Sequence, residues 1–364
     1  MNFKKIFTLS LILVIALTLA CNFAQAEPQK KGKKDQKKEE AGPIYIPQEV
    51  KVLIQQGIAN RQPKLDIPFE FVPNLYLPAS TNIHCIFYFK AKNSDITFAL
   101  PAAQPAAQPA AQTETAPAPK ETKTHFHVFV QFNKLENNKP TVFKETYIPA
   151  EISFTDPEAE SILSFGYPLP PGKYLLALAL ASPDLKKVGI NYFEFSLPDS
   201  NTIYKENRLE TTPLFLVQKI EEMPAVENVV QLHKDYFTWS VLKIYPDFAA
   251  QLKPGDTADI LFFIYGAKPN EQQKFSIEVN YEVKKGEESN PVLRWATSVY
   301  DTPFIEQPLP LIKTLLTKDD KGEREETKPL EPGKYKLVVK IYDRNSGLRT
   351  ETSLPFEIVE QKII

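Results

Sequence analysis

One heptapeptide occurs twice in this chain. Pro168-Leu169-Pro170-Pro171-Gly172-Lys173-Tyr174 and Pro329-Leu330-Glu331-Pro332-Gly333-Lys334-Tyr335 differ at a single position. Each opens an alternating run, Tyr174 with Leu176, Leu178 and Leu180, then Tyr335 with Leu337, Val339 and Ile341. Alternation places these residues on one face of a strand that follows a Pro-Gly turn. The same turn and strand in each half of the chain point to a tandem duplication of one β-domain.

The duplication reaches upstream. Pro78 to Ala91 can be laid on Pro254 to Ala267, matching Thr81 to Thr257, Phe87 to Phe263 and Ala91 to Ala267. Pro78 to Pro171 spans 93 residues and Pro254 to Pro332 spans 78, an excess of 15 in the first copy. That copy also carries Pro-Ala-Ala-Gln three times over residues 101–112, then a Thr, Pro and Ala-rich stretch to Lys120. Without bulky apolar residues such a tract cannot offset its ordering entropy. It is expected as a disordered insertion, 101–120, inside the first domain; an interdomain linker is the alternative and would split the repeat.

Most of the remaining signal also has period two. Phe126, Val128, Val130 and Phe132 alternate with His125, His127, Phe129 and Gln131; Phe275, Ile277, Val279, Tyr281 and Val283 alternate with more polar residues. Short strands separated by Pro, Asn, Asp and Gly predict an all-β chain with a sandwich in each half. The exception is 47–59, where Val50, Leu53, Ile54 and Ile58 recur at helical spacing behind Pro47, predicting one short amphipathic helix. The chain has 32 Pro and only 12 Gly, where average usage gives about 18 and about 25. Scarce glycine argues against phosphate-cradling loops, and neither nucleotide-binding glycine motif occurs.

The Leu-x-Pro-Gly-x-Tyr corner resembles that of fibronectin type III and related immunoglobulin-like sandwiches. There a Tyr opening the penultimate strand bonds back to upstream backbone. The resemblance implies that the runs from Tyr174 and Tyr335 are penultimate strands and that Gly172 and Gly333 shape the corners. It covers only the end of each domain. The immunoglobulin disulfide is absent, and Trp239 and Trp295 both lie in the second copy.

The first 26 residues, with Lys4 and Lys5, an apolar stretch from Ile6 to Ala20 and Ala24-Gln25-Ala26, read as a cleaved secretory signal. A lipid anchor on Cys21 is the rival reading. Cleavage after Ala26 leaves 41 basic and 45 acidic residues, a net charge of −4, which gives no global attraction to nucleic acid. Residues 27–42, rich in Lys, read as a solvated tether. Cys85 alone survives processing; apolar neighbours make it a buried small hydrophobe.

Candidate chemistry is sparse. His125 and His127 share one strand face, and with His84 they form the best metal candidate, though no carboxylate completes a zinc motif. The loop Asp319 to Glu326 offers carboxylates, but Lys321 and Arg324 oppose a cation. Two strand candidates are apolar on both faces, 81–91 and 257–267, and need cover on both. For the first the helix is a ready cover; for the second, the other domain, residues 214–232 or a partner protein.

The expectation is therefore an extracytoplasmic protein of the periplasm or cell surface. It comprises a signal peptide (1–26), a tether (27–42), a first sandwich (43–200), a connecting segment (201–235) and a second sandwich (236–360). Its expected role is non-enzymatic binding or structure through an unknown protein partner. No cofactor, nucleic acid or later transmembrane span is expected, and membrane association would be peripheral or through a lipid. The alternative is a hydrolase or metal-dependent enzyme with a site at the domain junction.

Overall fold

A computed structural model of the chain describes residues 46–79, 82–98, 121–286, 288–319 and 322–360, excepting the side chains of 315–326. The expected signal peptide, tether and Pro/Ala insertion, with Cys21, lie outside the described residues. Among the described residues no helix is long and apolar enough to cross a membrane.

Helix α1 (Gln48–Ile58) precedes β1 (Lys64–Leu65), β2 (Glu70–Pro78), β3 (Ile83–Lys92), β4 (Thr122–Glu136), β5 (Lys139–Phe154), β6 (Glu160–Leu169), β7 (Gly172–Ala181) and β8 (Val188–Leu197). One sheet has the order β1-β8-β7-β4-β5 and faces a second, β6-β3-β2. Then come α2 (Ser200–Lys205), β9 (Glu210–Thr211), β10 (Phe215–Glu222), β11 (His233–Lys234), β12 (Phe237–Trp239), β13 (Leu242–Pro246), β14 (Gln251–Leu252), β15 (Thr257–Tyr265) and β16 (Ile277–Lys285). The chain continues through β17 (Pro291–Arg294), β18 (Ser298–Tyr300), β19 (Phe304–Pro310), β20 (Ile312–Asp319), β21 (Gly322–Pro329), β22 (Gly333–Asp343) and β23 (Arg349–Ile358). These build sheets β12-β13-β10-β15-β19 and β14-β23-β22-β16-β17, plus a separate β20-β21 hairpin. The chain is all-β, with the same order in both halves: β6-β3-β2 answers β19-β15-β10, and β8-β7-β4 answers β23-β22-β16.

The alternating residues enter two cores as their period requires. Phe126, Val128, Val130 and Phe132 meet Tyr174, Leu176, Leu178 and Leu180 in the first. Ile277, Val279, Tyr281 and Val283 meet Tyr335, Leu337, Val339 and Ile341 in the second. The upstream repeat is shifted by one residue from the sequence alignment. Phe87 lies in the first core, whereas Phe263 points away from the second and Phe262 occupies it. A one-residue change of register exchanges the two faces of a strand, and with both faces apolar the pattern did not choose between them.

Both corners close as the resemblance implied. The Tyr174 hydroxyl donates to the Pro170 carbonyl at 2.9 Å and the Tyr335 hydroxyl to the Glu331 carbonyl at 2.8 Å. Gly172 and Gly333 have φ of 148° and 151°, a region that L side chains rarely adopt.

The helix does not cover β3. Val50 and Ile54 of α1, with Ile46 before it, pack on the outer face of the opposite sheet, against Phe129, Ala177, Ala179, Ala181, Val188 and Ile190. The alanine row on β7 makes a flat bed that lets the helix approach, and the Tyr192 hydroxyl bonds the Ile54 carbonyl at 2.7 Å. Burying Ile46, Val50 and Ile54 contributes about 1.5–3 kcal/mol each.

The exposed sheet edges show where part of the proline goes. Pro73 interrupts β2, Pro140 and Pro149 lie in β5, Pro308 and Pro310 in β19, and Pro355 in β23. Each of these strands lies at or near a sheet edge, and a proline there withholds a donor from an incoming strand.

Candidate functional site

The outer faces of β3 and β15 cover one another. Leu75, Leu77, Ile86 and Tyr88 from the first sandwich pack with Phe215, Val217, Phe237, Trp239, Leu242, Ile244, Leu261 and Phe304 from the second. This third apolar cluster lies between the sandwiches. It explains why both strands are apolar on two faces: one serves a core and the other the junction. Trp239 stacks on Phe304 with centroids 5.1 Å apart and donates its indole N–H to the Pro78 carbonyl at 3.1 Å.

One segment stitches the junction. β11 pairs with β6 of the first sandwich, and β12, three residues on, pairs with β13 of the second. Between them the Ser164 hydroxyl donates to the Tyr236 carbonyl at 2.5 Å, and the Asp235 N–H to the Ile162 carbonyl at 3.0 Å. Residues 201–235 are thus integral to both sandwiches: β9 and β10 join the second, and β11 the first.

Polar side chains extend the stitch. His84 Nε2 lies 3.0 Å from the Thr238 carbonyl; a carbonyl only accepts, so this nitrogen carries the proton. Glu227 Oε2 receives the Thr238 hydroxyl at 2.9 Å and lies 2.9 Å from His233 Nε2. His233 is buried and its ring lies 4.6 Å from that of Tyr236. The Lys243 ammonium sits 3.9 Å from the Tyr236 ring centre and 5.0 Å from that of Tyr245, whose hydroxyl donates to Glu221. Burial holds the His84 imidazole below its ordinary pKa, opposed by its bond to Thr238 and by Glu227. Burial does the same to His233, again opposed by Glu227.

The structure separates the sequence-selected histidines. His84 projects from β3 into the junction, whereas His127, on the other sheet, lies 2.8 Å from the Tyr147 hydroxyl. His125 is half exposed and 3.8 Å from Glu151. Among the described residues, no three His, Cys, Asp or Glu side chains converge as metal ligands. The side chains of the Asp319–Glu326 loop are outside the described set. Cys85 faces the first core, where burial raises its thiol pKa. A groove of ≈ 590 Å³ runs between α1 and β4–β5, lined by Gln48, Val52, Gln131 and Val142 and crossed by the Lys51–Glu145 ion pair at 2.8 Å.

The sequence reading missed Glu227, His233 and Thr238. They carry no motif spacing, and only the crossing of the sandwiches brings them to His84. No family model matches this chain, and no curated protein is similar to it.

Proposed function

We propose that the chain is an exported, non-enzymatic binding or structural protein of the cell envelope, built as two immunoglobulin-like sandwiches locked into one body. The apolar junction between the sandwiches is the observation that carries this reading. An enzyme working between two domains needs an accessible cleft there; here the space is filled by Tyr88, Phe237, Trp239 and Phe304. The immunoglobulin-like assignment is supported by the repeated strand order and by a Tyr-opened penultimate strand in each half. Fold alone assigns no activity; the rigid tandem favours holding a partner over turning over a substrate. Prolines along the edges direct that contact toward loops and faces and away from strand addition.

Affinity capture of the tagged protein from its native envelope fraction, with mass spectrometry of its partners and its own mature N-terminus, tests the reading. A reproducible protein partner and a start at Glu27 are expected. Stoichiometric metal or glycan copurifying without a protein partner would replace it with the enzymatic alternative.

A further inference from the structure

We propose that the outer face of β16 and β22 docks an acidic segment of a partner protein through Lys284, Lys334 and Lys336. The proposal rests on the binding reading above and names the chemistry of the partner. The duplication supplies the comparison. With Tyr174 matched to Tyr335, the outward positions that follow on β7 are Leu175, Ala177 and Ala179, and on β22 they are Lys336, Val338 and Lys340. In the first sandwich this row is buried with Val50, Ile54 and Ile58 of α1. In the second it is charged and open, with the side chains of Lys340 and of neighbouring Arg294 44% and 64% exposed.

Register sets cations against one another there. Lys336 lies directly opposite Lys284, and their outer partners are Pro355 on β23 and Pro291 on β17. The row across four strands therefore holds two positive charges and no carboxylate. Like charges directly opposed, with Cβ atoms about 4.5–5.5 Å apart, destabilise a ladder. Lys334 adds a third ammonium two residues along the same face, with Glu357 opposite it. Glu282, beside Lys284, is already held by Lys340 at 2.8 Å and Arg294 at 3.2 Å. Among the described residues none of Lys284, Lys334 and Lys336 forms an ion pair. The chain thus keeps a repulsion that it does not neutralise itself, and a carboxylate brought between the two ammoniums turns it into attraction.

The rest of the face selects the class of partner. Glu282, Glu351 and Glu357 stand among the lysines. Carboxylates spaced along a peptide can meet the lysines and avoid the glutamates. A lipid headgroup layer or a nucleic-acid backbone sets its phosphates against both.

Fluorescence anisotropy of a labelled oligoglutamate peptide, titrated with the purified chain at about 50 mM salt, tests the surface. Saturable binding is expected. Lys284→Gln/Lys336→Gln should weaken it about 2- to 30-fold, the loss of two exposed ion pairs. Lys186→Gln/Lys187→Gln, which removes the same charge from an exposed turn of the first sandwich, should leave it unchanged. Lys336→Glu, which sets opposite charges across the ladder, should raise the melting temperature and also weaken binding. Absence of peptide binding, equal weakening by the two double variants, or a melting temperature lowered by Lys336→Glu overturns the proposal. So does tighter binding to vesicles of equal parts phosphatidylglycerol and phosphatidylcholine that is lost in Lys284→Gln/Lys336→Gln. A partner captured from the envelope that binds both double variants alike would leave the binding reading standing and refute this surface.

Discussion

Replacing Tyr174 by Phe deletes one hydroxyl and leaves the ring, still stacked on Phe195 at 5.5 Å, in place. The variant therefore isolates the corner bond to the Pro170 carbonyl, 2.9 Å long. Tyr174 is 0% exposed, and burial pushes its hydroxyl pKa up to about 12. A net intramolecular hydrogen bond contributes about 0.5–1.5 kcal/mol, with more lost when the abandoned partner stays desolvated. Pro170 is only partly exposed, so Tyr174→Phe should cost about 1–2 kcal/mol. In the second copy Glu331 is exposed, and water can replace the lost donor. Tyr335→Phe should cost only about 0.5–1 kcal/mol, its ring likewise retained on Phe356. Urea unfolding followed by far-UV circular dichroism, with Trp239 and Trp295 fluorescence reporting the second sandwich, separates the two. Both variants should keep the wild-type slope and lower the midpoint. If Tyr174→Phe is as stable as wild type, or Tyr335→Phe is the costlier, the corner's stabilising role as argued from exposure is refuted.

Tyr88 presents the opposite case, since its buried hydroxyl lacks a hydrogen-bond partner while its ring packs on Phe248 at 4.5 Å. Tyr88→Phe should leave stability unchanged or raise it by about 1 kcal/mol; a lower melting temperature would reveal a bond to water. Ala177→Leu places bulk beneath α1 at a position 0% exposed and should cost about 1–3 kcal/mol, with proteolysis near residues 46–58 accelerated; wild-type resistance would contradict the docking of the helix. The Cys85 thiol should resist alkylation in the native protein and react promptly in urea, because burial both shields it and raises its pKa; fast native labelling would contradict that core position.

Sequence pattern was enough for the strand-forming period, the all-β class, the corners at Gly172-Tyr174 and Gly333-Tyr335 and a helix over 47–59, which the structure forms at Gln48–Ile58. These are local matters: alternation selects a face, and glycine admits a φ that other residues avoid. It also showed that strands 81–91 and 257–267 needed cover on both faces. Which residue of β15 answers Phe87 was settled by packing between sheets, because an apolar strand reads the same in either register. Tertiary packing also decided that α1 lies on β7 and β8 and that β3 and β15 shield each other. His84 illustrates the division: its strand was legible, but its face was undetermined between apolar neighbours on both sides. Its contacts with Thr238 and its proximity to Glu227 arise from segments more than 140 residues away, joined by the packing of two sandwiches and by no local pattern.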